Sequence, residues 1–294
     1  MDGNNETWPK LIGAALVLAI LALIGGYLGW LHPIGDSLAV GRGMAALAVL
    51  FLAVMASFAG LRMAAFGSLL LAMVTGGQVL LAYNWPGPPG SYLVYQKNML
   101  YRNGDLASLA ADIRATSPEI VTLQEVSEPN LALLAELEKD FPNQHVCKGG
   151  RVGGTAVLTR LATVADTGFC APGMAAIQVA GGGNRFWVVS VHLQWPWPYR
   201  QAGHVELILP VLDKLQGPAI LAGDFNMVRW ANSVKRLADI LGVRPAGPTV
   251  GTFFGFSQWF RLPIDHVFAS GSGRVAPRGA QGSDHLGLLA EVEL

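Results

Sequence analysis

The sequence predicts an α/β domain that follows a set of membrane-spanning helices. Two observations support this prediction: charged residues are concentrated behind residue 90, and strand-like and helix-like segments alternate from there onward. Only 14% of the 294 residues are charged, against roughly 25% in soluble domains, and the mean hydropathy is +0.40. This composition excludes a disordered chain and disfavours an ordinary soluble globule.

Three apolar runs occupy the first third of the chain, where only three acidic and three basic residues occur. The first run, residues 11–31, contains no charged residue. At a rise of ~1.5 Å per residue it spans a hydrocarbon core of ~30 Å. We therefore predict a membrane domain over residues 1–84, with transmembrane helices at about 11–31, 40–61 and 63–83.

The positive-inside rule gives this membrane domain an expected orientation. With three spans, Lys10 and Arg62 lie on one side of the membrane and the C-terminal domain lies on the other. We expect a multi-pass inner (cell) membrane protein whose C-terminal domain is external or periplasmic. Arg42, Lys97 and Arg102 oppose this bias. A Pro/Gly linker over residues 85–91 is expected to hold the next domain close to the bilayer.

The second domain is predicted over residues 92–294. Short apolar runs bounded by turn residues predict strands, and longer segments with apolar residues at helical spacing predict helices. The predicted strands are 92–98, 120–124, 154–159, 185–193, 219–222, 264–269 and 286–292, and the predicted helices are 105–115, 130–139 and 198–215. This alternation indicates an α/β fold, in which functional residues gather at strand ends.

Polar side chains occur at the ends of these predicted strands. They are Asn98, Glu125, His192, Asp224, Asn226, Asp265, Asp284 and His285. Carboxylate and amide oxygens suit Mg²⁺ or Mn²⁺, and a histidine held by an aspartate can remove a proton from water. Together these residue types predict metal-assisted attack on a phosphate ester.

The motifs around these residues resemble those of the endonuclease/exonuclease/phosphatase (DNase I-like) superfamily, here in a membrane-anchored, bacterial-type member. The similar segments, in order, are Leu123-Gln124-Glu125, Gly154-Thr155-Ala156-Val157-Leu158-Thr159-Arg160, Leu221-Ala222-Gly223-Asp224-Phe225-Asn226, Ile264-Asp265-His266 and Ser283-Asp284-His285. The resemblance covers residues from about 92 to the C-terminus. Because His192 stands where apurinic-site endonucleases have a tyrosine, that branch is disfavoured. The inositol phosphatases are disfavoured because the fuller recognition motifs of that branch are not found in this sequence.

The resemblance implies a four-layer α/β/β/α sandwich with its site at one end of the sheets. It implies that Glu125 binds the metal, helped by Asn98 and with Asp284 alongside, and leaves open whether one metal or two act. It also implies that His285 is the general base and that Asp265 fixes its tautomer. The remaining implied catalytic residues are His192, Asp224 and Asn226, which contact the phosphate, the leaving group or the nucleophile.

Three functions remain open from the sequence. The first is a membrane-anchored, metal-dependent phosphodiesterase with a nuclease-like substrate such as DNA. The second is a phospholipid or sphingolipid phosphodiesterase, which the zero net charge, the aromatic residues and the short tether favour. The third is a catalytically silent, membrane-bound binding module. No segment indicates a protein partner.

Several residues near the motifs have competing roles. Two aromatic stretches, 195–199 and 253–260, are hypothesised to form a substrate rim, although packing is the alternative for the second. Cys147 and Cys170 are expected to be unpaired core thiols, with a disulfide as the alternative if the domain is external. Surface or structural roles are expected for Arg151, Arg160, Arg200, Arg229, His145, His204 and His266.

Overall fold

The computed structural model describes residues 7–294, so the first six residues of the predicted membrane domain lie outside the described residues. The chain forms two compact units. One holds the residues up to Tyr83 together with 196–198 and 230–232, and the other holds the remainder. The first unit contains four helices: α1 (Thr7–Gly25), α2 (Ile34–Val40), α3 (Arg42–Phe58) and α4 (Arg62–Asn84).

Two of these helices, α1 and α4, are long and apolar enough to cross a membrane. The count rises to three if α2 and α3, which are bent by 72° at Gly41, form one span. The expected helix at 11–31 is therefore wrong in its bounds, whereas the one at 40–61 corresponds to α3, which covers Arg42–Phe58. The first ends at Gly25 because the Gly25-Gly26 pair disfavours helix, and the break at Gly41 lies at the start of the second. The third prediction, 63–83, matches α4.

The first unit also buries a cation that the sequence analysis did not place. Arg42 stands at the start of α3, where its Nη2 donates to the carbonyl oxygen of Gly26 at 2.6 Å. Its guanidinium carbon lies 3.8 Å from the centre of the Tyr27 ring. The carbonyl oxygen of Gly26, just after the end of α1, therefore accepts a hydrogen bond from this side chain.

The second unit is an α/β sandwich with mixed strand pairing. Its strands are β1 (Tyr92–Asn98), β2 (Ile120–Val126), β3 (Asn143–Gly150), β4 (Gly153–Thr159), β5 (Ala162–Thr163), β6 (Phe169–Ala171), β7 (Met174–Gly181), β8 (Asn184–His192), β9 (Ala219–Asp224), β10 (Arg244–Gly247), β11 (Asp265–Ala269), β12 (Gly273–Pro277) and β13 (Leu288–Val292). Its helices are α5 (Leu106–Thr116), α6 (Leu131–Glu136), α7 (Gln201–Leu212) and α8 (Asn232–Leu241).

The strands form two halves that β10 connects. One half runs β3-β4-β2-β1-β13-β12, and the other runs β11-β9-β8-β7-β5, with β6 paired to β7. Side chains from both halves, such as Val94, Val157, Val188 and Ile220, share one buried cluster, so the two halves pack face to face. A second cluster buries α5 and α6 on the outer face of the first half. On the other side, Ser233 of α8 donates to Gln201 of α7 at 3.1 Å.

Every strand and helix that the sequence analysis predicted in this unit is present, with shifted bounds for most. The elements that it did not predict are β3, β5, β6, β7, α8, β10 and β12. Strands β3 and β6 are largely exposed, and β7 is rich in alanine, so their apolar pattern is weak. The cysteine expectation is also wrong, because Cys147 of β3 and Cys170 of β6 form a disulfide.

Candidate active site

Strand pairing brings the predicted site residues to one edge of the sandwich. The parallel pair β1–β2 sets Asn98 beside Gln124, one residue before Glu125. The parallel pair β8–β9 aligns His192 with Asp224, and the antiparallel pair β9–β11 aligns Asp224 with Asp265. Side chains that are far apart in the sequence therefore converge.

His285 and Asp265 form a buried hydrogen-bonded pair. His285 Nδ1 lies 2.7 Å from Asp265 Oδ2, and its other ring nitrogen, Nε2, lies 3.8 Å from Asp224 Oδ2. Since an ionised carboxylate only accepts hydrogen bonds, Nδ1 carries the proton that is shared with Asp265. This tautomer leaves Nε2 as the nitrogen that faces the other carboxylate.

A second group of side chains surrounds Asp224. Asn98 Nδ2 donates to Asp224 Oδ2 at 2.9 Å and to Glu125 Oε1 at 3.2 Å. His192 Nε2 lies 3.6 Å from Asp224 Oδ2 and 4.0 Å from Glu125 Oε1. One amide group thus holds two carboxylates that would otherwise repel each other, and the second histidine lies beside both.

The backbone around Glu125 is distorted in a way that places its side chain in the site. Glu125 has a φ of 58°, and the pairing of β2 with β4 shifts between Gln124 and Val126. Such a bulge re-aims one side chain of a strand. A Cβ at Gly153 would meet the backbone of Val126 and Ser127 at 2.5 Å. Glycine is therefore required where the bulge passes.

The turn after β9 combines a local hydrogen bond with a place in the site. The backbone N–H of Asn226 donates to Asp224 Oδ1 at 2.8 Å, which is an Asx-type turn. Asn226 has a φ of 48°, and asparagine tolerates this region better than most residues. Its Nδ2 donates to the carbonyl oxygen of Leu193 at 2.8 Å. Asp224 Oδ2 remains directed toward the two histidines.

Burial and charge shift the pKa values of these groups in different directions. Burial raises the pKa of Asp224 to about 7, against the opposing effect of His285. Burial disfavours the charged form of His285, but Asp265 and Asp224 outweigh it and raise the pKa of His285 to about 9. Burial also lowers the pKa of His192, against the attraction of Glu125. Burial therefore favours the neutral form of Asp224, while Asp265 and Asp224 favour the cationic form of His285.

This donor set fits a divalent cation. Ligand atoms of Asp224, Asp265 and His285 all lie within 4.8 Å of one another, and Glu125 approaches Asp224 through their shared partner. Carboxylate oxygens are what Mg²⁺ and Mn²⁺ prefer. Because Asp265 is hydrogen-bonded to His285, Asp224 and Glu125, which share the Asn98 amide, are the carboxylates that would hold the cation.

The two other predicted ligands are placed differently. Asn98 offers its amide nitrogen to the carboxylates, while its Oδ1 accepts from the backbone N–H of Leu100 at 3.0 Å. Asp284 lies beside Gly255, where its Oδ2 is 3.1 Å from the position of an added Cβ. Its charge contributes to raising the pKa of His285. Asn98 therefore orients carboxylates in this structure, and Asp284 lies at the side of the site near residues 253–256.

A layer of buried polar residues supports the site and was missed by the sequence analysis. Gln96 Nε2 donates to Asp265 Oδ1 at 2.9 Å and to Gln124 Oε1 at 2.8 Å. Gln124 in turn donates to Ser190 Oγ at 3.0 Å. Gln96 could have been found because it precedes Asn98 by two residues and so shares its strand face.

Lys97, on the opposite face of β1, is also fully buried. Its Nζ donates to the carbonyl oxygens of Ala280 and His285 at 2.7 Å, and to that of Gly279 at 3.2 Å. Three carbonyl acceptors match the three N–H bonds of an ammonium group. Lys97 therefore ties the segment that carries His285 to β1. No local sequence pattern identifies these three carbonyl acceptors, because they lie more than 180 residues from Lys97.

Trp195 and part of the 253–260 stretch meet beside the general-base candidate. Trp195 packs against Phe253 and Phe256 with ring centroids 5.5 Å apart in both pairs. The Phe253 ring lies 4.8 Å from that of His285. Phe256 is 74% exposed and Trp259 is 98% exposed. Part of this cluster therefore packs on the site, while the loop beyond it is open to solvent.

The histidines that were expected to be structural lie outside this constellation. His266 is buried beside Phe225 and Phe268, and its Nε2 donates to the carbonyl oxygen of Met227 at 2.9 Å. His204 accepts from the backbone N–H of Gln194 through Nδ1 at 3.1 Å. His145 contacts the carbonyl oxygen of Phe169 at 3.1 Å.

A family model described as the endonuclease/exonuclease/phosphatase family matches residues 95–285. No curated protein sequence matches this chain significantly. Among solved structures, truncated TDP2 from Caenorhabditis elegans shares 19% identity with a TM-score of 0.54, over 68% of this chain and 96% of that one.

Two further solved structures are similar. An endonuclease/exonuclease/phosphatase family protein from Leptotrichia buccalis shares 17% identity with a TM-score of 0.55, over 69% of this chain and all of that one. A beta toxin mutant from Staphylococcus aureus with bound magnesium ions shares 13% identity with a TM-score of 0.52, over 68% and 99%. At these identities the similarities show a common fold.

Proposed function

Because the chain belongs to the endonuclease/exonuclease/phosphatase family, we propose that it is a membrane-anchored, divalent-metal-dependent phosphodiesterase with a nuclease-like substrate. Family and fold together make it a phosphoester hydrolase. The observation that supports phosphodiester chemistry best is the arrangement of His285 between Asp265 and Asp224. This arrangement places a candidate general base, His285, beside carboxylates that can bind a divalent cation.

The side chains divide the work of hydrolysis among them. Asp265 holds the proton on His285 Nδ1, and Nε2 can accept a proton from an attacking water when the ring is in its neutral form. The carboxylates that raise the pKa of His285 to about 9 oppose this form. A divalent cation on those carboxylates would offset their charge and favour it. Asp224 is next to Nε2 and orients that water. We assign His192 and Asn226, which line the cavity beside the site, to contact the phosphate, where N–H groups stabilise developing negative charge. A divalent cation held by Glu125 and Asp224 would neutralise charge on the phosphate oxygens.

The membrane anchor belongs to the same proposal. If α2 and α3 form one span, the chain crosses the membrane three times. Lys10 and Arg62 then favour a cytoplasmic N-terminus and an external catalytic domain in the inner membrane. The disulfide between Cys147 and Cys170 supports this placement, since disulfides persist mainly in oxidising compartments.

The test compares the wild-type protein with His285→Ala, both in detergent with Mg²⁺ or Mn²⁺. Substrates are plasmid DNA and the small diester bis-p-nitrophenyl phosphate. We expect the wild type to cleave both and His285→Ala to lose both activities. His32→Gln, an exposed histidine in the helical unit, is the matched control and should remain active. An inert wild-type protein would favour the catalytically silent binding module instead.

A lipid phosphodiester is the second candidate substrate, and one observation favours it. Phe256, Trp259 and Phe260 expose 74%, 98% and 60% of their surface, and exposed aromatic side chains partition into membrane interfaces. The same preparations should therefore be tested on sphingomyelin and phosphatidylcholine vesicles. Lipid hydrolysis without DNA cleavage would replace the nuclease-like assignment, while the phosphodiesterase chemistry would stand.

A further inference from the structure

A cavity of about 780 Å³ opens beside the candidate active site. Glu125, His192 and Asn226, which belong to the site, line this cavity. Its other walls are the 148–153 turn between β3 and β4, the segment 170–173, and residues 193–195 with Tyr199. This volume lies in the range of small-molecule sites, roughly 300–1,000 Å³. The cavity is therefore large enough to hold the part of a substrate next to the scissile bond.

The β3–β4 turn supplies two cations to this cavity. Lys148 and Arg151 both line it and are exposed. No described residue forms an ion pair with either side chain. The pairing of β3 with β4 shifts between Cys147 and Gly150, so this turn departs from the regular ladder. Two uncompensated cations thus flank a site that is otherwise rich in carboxylates.

Aromatic side chains form another wall of the same cavity. Trp195 is half-buried, and Tyr199 is largely exposed. Cations that track a phosphate backbone and aromatic rings that stack on bases are the two elements of single-stranded nucleic acid sites. A choline headgroup carries a positive charge, which Lys148 and Arg151 would repel. The chemistry of the cavity therefore favours a nucleotide over a choline lipid.

The disulfide joins the two walls that border this space. Residues 148–153 follow Cys147 directly, and residues 171–173 follow Cys170 directly. Strand β6 has only three residues and pairs with β7 alone. The bond to Cys147, with Cα atoms 5.4 Å apart, therefore fixes the distance between β6 and β3. Both walls are otherwise rich in glycine, at Gly149, Gly150, Gly153 and Gly173.

We propose that this cavity is a subsite for the nucleotide next to the scissile phosphate, and that the Cys147–Cys170 disulfide sets its width. The proposal rests on the proposed phosphodiesterase function. Lys148 and Arg151 bind the neighbouring phosphate, and Trp195 and Tyr199 stack on its base. Arg151 then has a role in substrate binding in place of the surface role expected from the sequence.

The first test removes the charges. Lys148→Ala/Arg151→Ala is compared with Lys139→Ala/Lys235→Ala, which removes two exposed lysines away from the cavity. Substrates are a single-stranded oligonucleotide and bis-p-nitrophenyl phosphate, which has no neighbouring nucleotide. We expect the ratio of kcat/KM for the oligonucleotide to that for the diester to fall about tenfold, corresponding to ~1.4 kcal/mol. The control variant should keep the wild-type ratio.

Salt dependence gives a second readout of the same contacts. For single strands, each lost phosphate contact reduces the magnitude of the slope of log affinity against log salt concentration by about 0.7. Because Lys148 and Arg151 bind the same phosphate, loss of both cations should reduce the magnitude of the slope by about 0.7. An unchanged slope together with an unchanged substrate ratio would overturn the subsite, while hydrolysis of the diester would leave the proposed function intact.

The second test addresses the disulfide. Reduction of the wild-type protein should raise the oligonucleotide KM more than the diester KM, and Cys147→Ser/Cys170→Ser should reproduce this change and no longer respond to reductant. Reduction of the folded wild type serves as the test if the double variant does not fold. An unchanged oligonucleotide KM after complete reduction would overturn the role of the disulfide. If the wild type hydrolyses phosphatidylglycerol vesicles but not the oligonucleotide, the nucleotide assignment is wrong.

Discussion

His285 Nδ1 lies 2.7 Å from Asp265 Oδ2, and both side chains are almost completely buried. The same carboxylate oxygen accepts from Thr252 Oγ1 at 2.5 Å, and the other oxygen accepts from Gln96 Nε2 at 2.9 Å. Three donors therefore hold one carboxylate in place. Despite burial, His285, Thr252 and Gln96 keep the pKa of Asp265 below its ordinary value. An ionised, fixed Asp265 orients the imidazole for proton transfer at Nε2.

Replacement of Asp265 by asparagine should remove most of the activity. The amide of the new side chain could present an N–H group toward His285 and so favour the wrong tautomer. Because general-base catalysis contributes about 10²–10⁴-fold, we expect kcat on bis-p-nitrophenyl phosphate to fall by that order. Asp239→Asn, an exposed aspartate on α8, is the control and should be active. Near wild-type kcat in Asp265→Asn would contradict the assignment of His285 as the base.

Thr252 should act through Asp265 and not through the substrate. In Thr252→Val the shape of the side chain is kept and the donor to Asp265 is lost. A hydrogen bond to a charged group contributes about 1.5–3 kcal/mol, so we expect kcat to fall roughly ten- to hundredfold with little change in KM. Thr252→Ser keeps the hydroxyl and should restore most of kcat. Equal activity of the valine and serine variants would show that the hydroxyl has no positioning role.

Much of the fold and site follows from local sequence. The strand β1 has the predicted bounds, and Glu125, Asp224 and Asp265 lie at or beside strand ends because an apolar run there gives way to a polar residue. The support for the site does not follow locally. Thr252 and Gln96 reach Asp265 only through strand pairing, and the disulfide depends on two exposed strands with a weak apolar pattern. Helix α2, before the bend at Gly41, was not predicted because Pro33, Asp36 and Arg42 interrupt the apolar composition there.

His266 should make the protein less stable in acid. Burial lowers the pKa of His266 to about 4 from its ordinary 6.5. Between pH 6.5 and about 4 the unfolded chain therefore binds more protons than the folded protein. The contribution of His266 to the free energy of unfolding is fully present above pH 6.5 and is lost as the pH falls to about 4. The loss amounts to about 3 kcal/mol. His266→Gln keeps a donor for Met227 and should show a shallower dependence.

The measurement is urea unfolding of the full chain in detergent, followed by tryptophan fluorescence at several pH values from 7 to 4. The wild type and His266→Gln are compared at each pH, because other groups titrate equally in both. As the pH falls, the free energy of unfolding of the wild type should decrease more than that of His266→Gln. Parallel curves would mean that His266 does not stay neutral in the folded protein.

Removal of the metal should abolish activity and lower stability. Glu125 and Asp224 suit a divalent cation, and a ligand that binds only the folded state stabilises it. We expect EDTA to eliminate diester hydrolysis, Mg²⁺ or Mn²⁺ to restore it, and added metal to raise the Tm. Glu125→Gln should lose the rise in Tm, whereas Glu128→Gln, an exposed glutamate three residues away, should keep it. Full activity in EDTA would contradict metal dependence.

The aromatic cluster should distinguish the two candidate substrates. Trp195 contacts Phe253 and Phe256 beside His285, so a base that leaves the site can stack there. Stacking contributes about 1–3 kcal/mol per base, and Trp195→Ala should therefore raise the oligonucleotide KM roughly five- to 150-fold with a smaller change in kcat. Trp259→Ser changes a residue that is 98% exposed and should affect vesicle binding alone. Trp259→Ser could instead abolish turnover of the physiological phosphodiester while Trp195→Ala leaves KM unchanged. In that case the exposed loop, and not the cluster, receives the substrate, and a lipid becomes the better assignment.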